Sequence, residues 1–381
     1  MQSFEFTVTH QDPQTKARAG LLRTPHGTVE TPVFMPVGTL GTVKGLSQEA
    51  LEQLGAEIIL ANTYHLYLRP GEEVIRELGG LHRFMSWERT ILTDSGGYQV
   101  FSMSALREVT DEGVRFRSHL DGSLHFLSPE RAVEIQGSIG SDIWMPLDEC
   151  TEFPVSPVTA QKAMERTLAW AERSQRAWLQ MPRGDGQPPG GVLFGIVQGG
   201  THPELRRQCA VRLVEMEFPG YAIGGLSVGE ARPLTFDLVA ATEECLPADK
   251  PRYVMGVGLP EELPQYVALG VDMMDCVLPT RNARNGCLFT SQGKLRIRQA
   301  RFARDPRPLD ESCGCSVCRR YSRAYLRHLF VADEMLGKIL STVHNVYFYL
   351  DTMRRIRQTI AAGHFSRFSL EFRSRLQGEV P

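Results

Sequence analysis

An eight-stranded α/β barrel, the (β/α)8 TIM barrel, with a smaller C-terminal subdomain packed on it, is the fold class that this sequence predicts. Two observations predict it. Short apolar, β-rich runs recur over the first 280 residues, most followed by a polar or glycine-rich turn and then a helical pattern. After about residue 280 that rhythm stops, and a basic, cysteine-bearing segment and further helical stretches follow. Runs that are continuously apolar, rather than alternating, suit strands buried on both faces. Repeated strand–helix units imply a parallel sheet, and about eight of them imply closure.

The runs are Thr31–Val37, Glu57–Ala61, Thr90–Thr93, Asp142–Leu147, Val192–Val197, Tyr221–Leu226, Tyr253–Val257 and Val271–Val277. Between the last two, residues 259–270 carry apolar side chains at helical spacing and end in glycine, the pattern of a helix and its stop. After the third run, residues 108–127 alternate polar and apolar around Asp121-Gly122, a hairpin signal. The stretch 182–191 (PRGDGQPPGG) reads as a turn-rich loop and not as a linker, because strand–helix units continue on both sides. The expected domains are a barrel at 1–280 and a subdomain at 281–381.

With 381 residues, the chain is long enough for one large barrel. No apolar run with a basic lead opens it, and no stretch nears the roughly 20 apolar residues of a membrane span, so a soluble, cytoplasmic protein is expected. A net charge of −2 argues against indiscriminate coating of nucleic acid. From Arg281 to Arg323, however, eleven Lys or Arg stand against three acids, Asp305, Asp310 and Glu311. That is either one docking place for a phosphate-rich partner or a solvated charged face. Eight cysteines do not suit a disulfide framework in a cytoplasmic chain, and three of them are bunched at Cys313, Cys315 and Cys318.

A barrel gathers its chemistry at the C-terminal ends of its strands. Those ends here carry Asp94-Ser95-Gly96-Gly97-Tyr98, Asp148-Glu149-Cys150, Gln198-Gly199-Gly200, Gly224-Gly225-Leu226, Met255-Gly256-Val257-Gly258 and Asp275. Asp94 alone could cap a turn, and Asp148 could cap a helix. Asp275 inside an apolar strand is harder to dismiss, because an unpaired buried carboxylate costs several kcal/mol. Two convergent carboxylates support substitution at an anomeric carbon, one attacking and the other moving a proton. Asp148, Gln198 and the backbone at Gly225–Leu226 can read the edge of a flat heterocycle, with Tyr98 and Met255 on its faces.

The segments TDSGGYQVFS, DEC, GIVQGG, GGLSVGE, YVMGVG, MDCVLPTRNARNG and CGCSVCRRY, in this order, resemble the signature segments of the bacterial-type tRNA-guanine transglycosylase family, and the likeness covers nearly the whole chain. The resemblance implies Asp275 as nucleophile on the ribose of the target guanosine and Asp94 as general acid/base. It implies a base pocket of Asp94, Ser95, Gly96, Gly97, Tyr98, Asp148, Cys150, Gln198, Gly224, Gly225, Leu226 and Met255. RNA contacts fall to Gly256, Val257, Gly258, Leu259, Pro260, Glu261 and Glu262, and to Thr280, Arg281, Asn282, Ala283 and Arg284 around the wobble position. The implied reaction exchanges the wobble guanine of G-U-N anticodon tRNAs (those for Asp, Asn, His and Tyr) for a 7-deazaguanine. Cys150 and Val228 resemble the bacterial pattern, whose pocket suits the aminomethyl precursor preQ1, so queuine is expected to be used poorly.

Cys313-x-Cys315-x-x-Cys318 with a later histidine matches a Cys3His zinc site, and four protein ligands make such a metal structural. The resemblance selects His344 over His328 and His364. It also implies a homodimer. Tyr321, Tyr325 and His328 fall on one helical stripe after the cysteines, which suits either a subunit contact or a core-facing stripe. Two rival readings remain. A retaining glycoside hydrolase would want an aromatic-lined sugar groove, and the chain has only four Trp. A non-catalytic tRNA-binding subunit should lack the carboxylate that stands at Asp275.

Overall fold

The computed structural model describes residues 4–103, 107–181 and 190–376, so most of the 182–191 loop lies outside the described residues. The expected barrel is present. Its strands are β1 (Val33–Pro36), β2 (Ile58–Asn62), β3 (Thr90–Asp94), β4 (Ile143–Trp144), β5 (Val192–Leu193, then Gly195–Val197), β6 (Tyr221–Ile223), β7 (Arg252–Val254) and β8 (Met273–Cys276). All neighbours pair in parallel. The pairing of β8 with β1 and a bridge between Val37 and Leu60 close the ring.

Alternate residues fill the interior: Val33 and Met35, Ile58 and Leu60, Phe194 and Ile196 pack with Tyr253 and Met273 in one apolar cluster. Their neighbours, such as Phe34, Val197 and Val254, face the surrounding helices in another. This two-sided burial is the reason the runs read as continuously apolar. Several runs are longer than their strands. Tyr221–Leu226 leaves the sheet after Ile223, and Asp142–Leu147 after Trp144. The apolar residues beyond those points belong to buried loops at the barrel mouth.

Three antiparallel elements are absent from the sequence reading or richer than it. Residues 5–31 form a sheet of Glu5–Gln11, Arg18–Thr24 and Gly27–Thr31. This sheet plugs the bottom of the barrel, where Leu22 and Val29 join the interior cluster. Arg18 there holds both oxygens of Asp272, at 2.9 and 2.6 Å. The hairpin expected at 108–127 is a three-stranded sheet, Arg107–Val109, Val114–Arg117 and Leu124–Leu127. Cys287–Thr290 and Gly293–Arg296 form a hairpin beyond β8.

Five helices matter below: α1 (Gly97–Met103), α2 (Leu278–Arg284), α3 (Arg323–Val331), α4 (Met335–Ala361) and α5 (Phe365–Leu376). The long α4 runs from the cysteine-bearing segment onto the barrel. Its Phe348, Tyr349, Met353, Ile356 and Ile360 are members of the barrel's outer core, and Tyr349 packs 4.6 Å from Phe34 of β1. No helix among the described residues is long and apolar enough to cross a membrane.

Candidate active site

Strand direction separates the two aspartates of β8 and its approach. Asp272 precedes the strand and is ion-paired with Arg18 at the bottom. Asp275, three residues on, reaches the opposite end. Its Oδ1 accepts from the Tyr253 hydroxyl at 2.6 Å and from the Gly256 amide at 2.8 Å. Gly256 has φ +72°, a left-handed turn that favours glycine and brings its N–H to the carboxylate. Oδ2 of Asp275 accepts no hydrogen bond among the described residues. Burial raises the pKa of this carboxyl, while the Gly256 and Tyr253 hydrogen bonds oppose the shift.

Asp94 ends β3 in register with Asn62 of β2. Its carboxylate accepts from the Thr63 amide at 3.0 Å, from Gln99 of α1 at 2.9 Å and from the Asn62 side-chain amide. Burial pushes its pKa up to about 7 against those three donors, and the charge of nearby Asp275 adds to the rise. The two carboxyls differ in kind: Asp275 keeps one oxygen unengaged, whereas Asp94 is poised to gain or lose a proton near neutrality.

Asp148 follows β4. Its Oδ2 accepts from Gln198 Nε2 at 2.7 Å and its Oδ1 from Ser95 Oγ at 3.4 Å, and burial lifts its pKa to about 6. A Cβ on Gly97 would lie 2.9 Å from the Asp148 carbonyl oxygen, so the glycine permits the close approach of α1. The other amide atom of Gln198, Oε1, is buried without a partner among the described residues. An orphaned acceptor beside a half-committed carboxylate is what a pocket built for a hydrogen-bonding ligand presents. Burial holds the nearby Cys150 thiol up to about 12, so it is an inert wall and not a nucleophile.

Residues 12–378 match the family described as Queuine tRNA-ribosyltransferase. A protein of Koribacter versatilis with that name is 59% identical over 372 residues, covering 96% of each chain. One of Moorella thermoacetica is 56% identical over 375 residues, covering 98% of each. One of Thermoanaerobacter pseudethanolicus is 55% identical, covering 98% of this chain and 97% of its own. The chain belongs to the queuine tRNA-ribosyltransferase family.

In this family member the structure brings Asp94, Ser95, Asp148, Gln198 and Asp275 to one mouth, as expected from strand ends alone. Tyr98 lies on α1 and is 55% exposed, while Met255 is half-buried. Three residues of the mouth were not singled out in the sequence: Asn62 and Thr63, which hold Asp94, and Tyr253, which holds Asp275. A tyrosine within an apolar strand was the available signal, since a buried hydroxyl needs a partner.

The segment 256–262 is anchored from beneath. The Gly258 carbonyl accepts from Tyr349 at 3.0 Å and lies 3.4 Å from the Cys276 sulfur. Residues 260–262 form a 3-10 turn leading into the expected helix, Leu263–Ala268. On α2, Arg281 is exposed and Thr280 and Ala283 are buried. Arg284 Nη1 is buried with no partner among the described residues, and burial and Arg281 lower its pKa. An unpaired guanidinium beside a second arginine favours an anion there.

Cys313, Cys315, Cys318 and His344 converge, their ligand atoms all within 4.8 Å of one another. The three sulfurs lie 3.7, 3.5 and 3.3 Å from His344 Nδ1. A tetrahedral ion with bonds of about 2.3 Å to sulfur and about 2.0 Å to nitrogen places such atoms about 3.6 Å apart, so these residues fit a metal. His344 Nε2 donates to the Phe289 carbonyl at 2.7 Å, which leaves the Nδ1 lone pair facing the sulfurs. His328 and His364 are not in the group.

Proposed function

We propose that this protein is a tRNA-guanine transglycosylase, a pentosyltransferase that exchanges the wobble guanine of G-U-N anticodons for preQ1 by double displacement. The observation that carries the reading is the pair of unlike carboxyls at one mouth, one half-engaged and one poised near neutrality. In the first step Asp275 Oδ2 bonds to C1′ of the ribose as the bond from C1′ to N9 of guanine breaks, and Asp94 gives the departing base its proton. In the second, N9 of preQ1 attacks C1′, its proton passes to Asp94, and the ester to Asp275 opens. Asp94 ends as it began. Asp148 accepts from the donor edge of either base, and the Gly225–Leu226 backbone faces the carbonyl edge. Gly256–Glu262 and Thr280–Arg284 hold the anticodon strand. Sugar-groove hydrolysis and a silent RNA-binding role fit this arrangement less well, because the mouth carries amide and arginine donors beside an intact nucleophile. A cytoplasmic location follows from a tRNA substrate.

Guanine exchange into transcripts with G-U-N anticodons, beside transcripts with other anticodons, tests the reading. Equal exchange into both sets would refute it. The bacterial-like Cys150 and Val228 make preQ1 the expected incoming base, with queuine incorporated poorly. Comparable incorporation of the two bases would overturn that choice.

The Cys3His group is proposed to hold one structural zinc, since four protein ligands leave no open position for substrate. Bound zinc here fixes the segment between the hairpin and α4 and takes no part in the chemistry. Metal analysis should find about one zinc per chain, and Cys315→Ser should lose it and disorder the subdomain. Full zinc content in the variant would sink the assignment.

A homodimer is proposed to form through the region of Tyr321, Tyr325 and His328. Tyr325 is 40% exposed, and its ring stacks on Tyr321 at 5.5 Å with Arg320 over the latter. An exposed tyrosine stacked on a half-buried one beside a guanidinium suits a protein contact. Light scattering at micromolar concentration should report a dimer, and Tyr325→Ala should weaken it. A monomeric unmodified chain would contradict the proposal.

A further inference from the structure

Arg206 is fully buried in the first turn of the helix Pro203–Glu215, and it makes no ion pair among the described residues. All its hydrogen bonds go to backbone carbonyls: Nε donates to Gly200 at 2.7 Å, and Nη2 to Gly224 at 3.0 Å and to Gly225 at 3.2 Å. Its Nη1 is buried and unpartnered. A buried guanidinium without a counter-ion carries a heavy desolvation penalty, and burial lowers its pKa to about 10. Capping the three loop carbonyls is the structural gain, and a neutral donor would supply it at a smaller desolvation cost than a guanidinium. The three carbonyls belong to the loops after β5 and β6, the loops that flank Gln198.

In a trans peptide the C=O and N–H point in opposite directions. Drawing the Gly224 and Gly225 carbonyls down onto Arg206 therefore turns the next two amides, those of Gly225 and Leu226, away from it. Neither amide donates a hydrogen bond among the described residues, whereas the next two, Ser227 and Val228, are both taken by Glu230. A charged donor on the carbonyl side also polarises each peptide and makes its N–H a stronger donor. Gly225 has φ +65°, and a Cβ there would lie 2.2 Å from Gln198 Oε1, so the loop can approach the glutamine only as glycine.

We propose that Arg206 is a positioning residue that holds the Gly225 and Leu226 amides as a polarised two-donor cradle for the 6-carbonyl oxygen of the bound purine or deazapurine. This rests on reading the mouth as a base pocket. The cradle selects a carbonyl over an amino group at that position, because two fixed donors cannot pair with a third.

The test compares equilibrium binding of guanine with that of 2,6-diaminopurine, which carries an amino group in place of the 6-carbonyl. The full-length chain is used unchanged, as Arg206→Met and as Arg206→Lys. Metal content and the fraction of chains that unfold in one cooperative thermal transition report the folded, competent fraction in each case. The unchanged protein should prefer guanine by at least about tenfold. Arg206→Met should lose most of that preference through weaker guanine binding, with RNA affinity within about twofold. Arg206→Lys keeps the charge but not the fork, and should fall between the two. Should Arg206→Met not fold, the lysine variant alone decides. A merely structural role would lower the competent fraction and leave the preference intact, which overturns the proposal. Absence of a guanine preference in the unchanged protein would instead show that the base-pocket reading itself is wrong.

Discussion

Asp275→Asn should abolish both guanine exchange and every trace of a covalent protein–RNA species. The substitution keeps the size of the side chain and at least one acceptor for the Tyr253 hydroxyl and the Gly256 amide, which both meet Oδ1. What it removes is the anionic Oδ2, the oxygen proposed to form the ester. Without a nucleophile the double displacement has no first step, and no second group at the mouth replaces it: Asp94 is held by three donors and Asp148 by Gln198 and Ser95. The measurement is a denaturing gel of enzyme with a labelled anticodon stem-loop, guanine being kept low so that the adduct is not discharged. A slower band in the unchanged protein, absent from Asp275→Asn, is the expected result. A band that survives in Asp275→Asn but vanishes with Asp94→Asn, in a folded protein, would mean that the two roles are reversed.

Asp94→Asn should slow transfer by about 10² to 10⁴, the usual worth of a positioned general acid/base, with RNA binding little changed. The pH dependence of the first half-reaction separates this role from packing. Asp94 titrates at about 7, raised chiefly by burial. In the proposed mechanism it carries, below that pH, the proton the departing guanine needs; above it, the protonated fraction falls tenfold per unit. Adduct formation in single-turnover experiments should therefore decline above about pH 7 in the unchanged protein, and this limb should be missing from the slow residual rate of Asp94→Asn. An alkaline limb that persists in the variant would assign the titration to another group.

How far the sequence discloses this site depends on what each residue does alone. Asp275 stands out because a carboxylate in an apolar strand is costly wherever the strand lies. Asp94, Asp148 and Gln198 stand out because barrel geometry brings strand ends together. Asn62, Tyr253 and Arg206 act through neighbours 32, 22 and 18 residues away in the chain, and nothing in their own surroundings announces the partner. The fold divides in the same way. Parallel strands declare themselves as apolar runs, whereas the sheet over residues 5–31 has an exposed first strand, and its largely buried middle strand, Arg18–Thr24, carries Arg18, Gly20 and Thr24 among its buried positions, which leaves a weak pattern. The hairpin at 287–296 is short, and it is held by Asn345 of α4, whose side chain binds the Phe289 amide and the Pro279 and Cys287 carbonyls.

Helix α4 carries His344 at one stage of its length and the barrel-wall residues Phe348, Tyr349 and Met353 within its next turns. One rigid rod thus serves a coordination sphere and a hydrophobic wall together, and neither can come apart without pulling on the other. If the proposed zinc is bound there, its occupancy enters the unfolding equilibrium of the barrel by mass action: an ion at a thousand times its dissociation constant adds about 4 kcal/mol to the state that binds it. On that proposal, availability of free metal sets how many molecules are folded at a given temperature, and the rate at each folded mouth should stay the same.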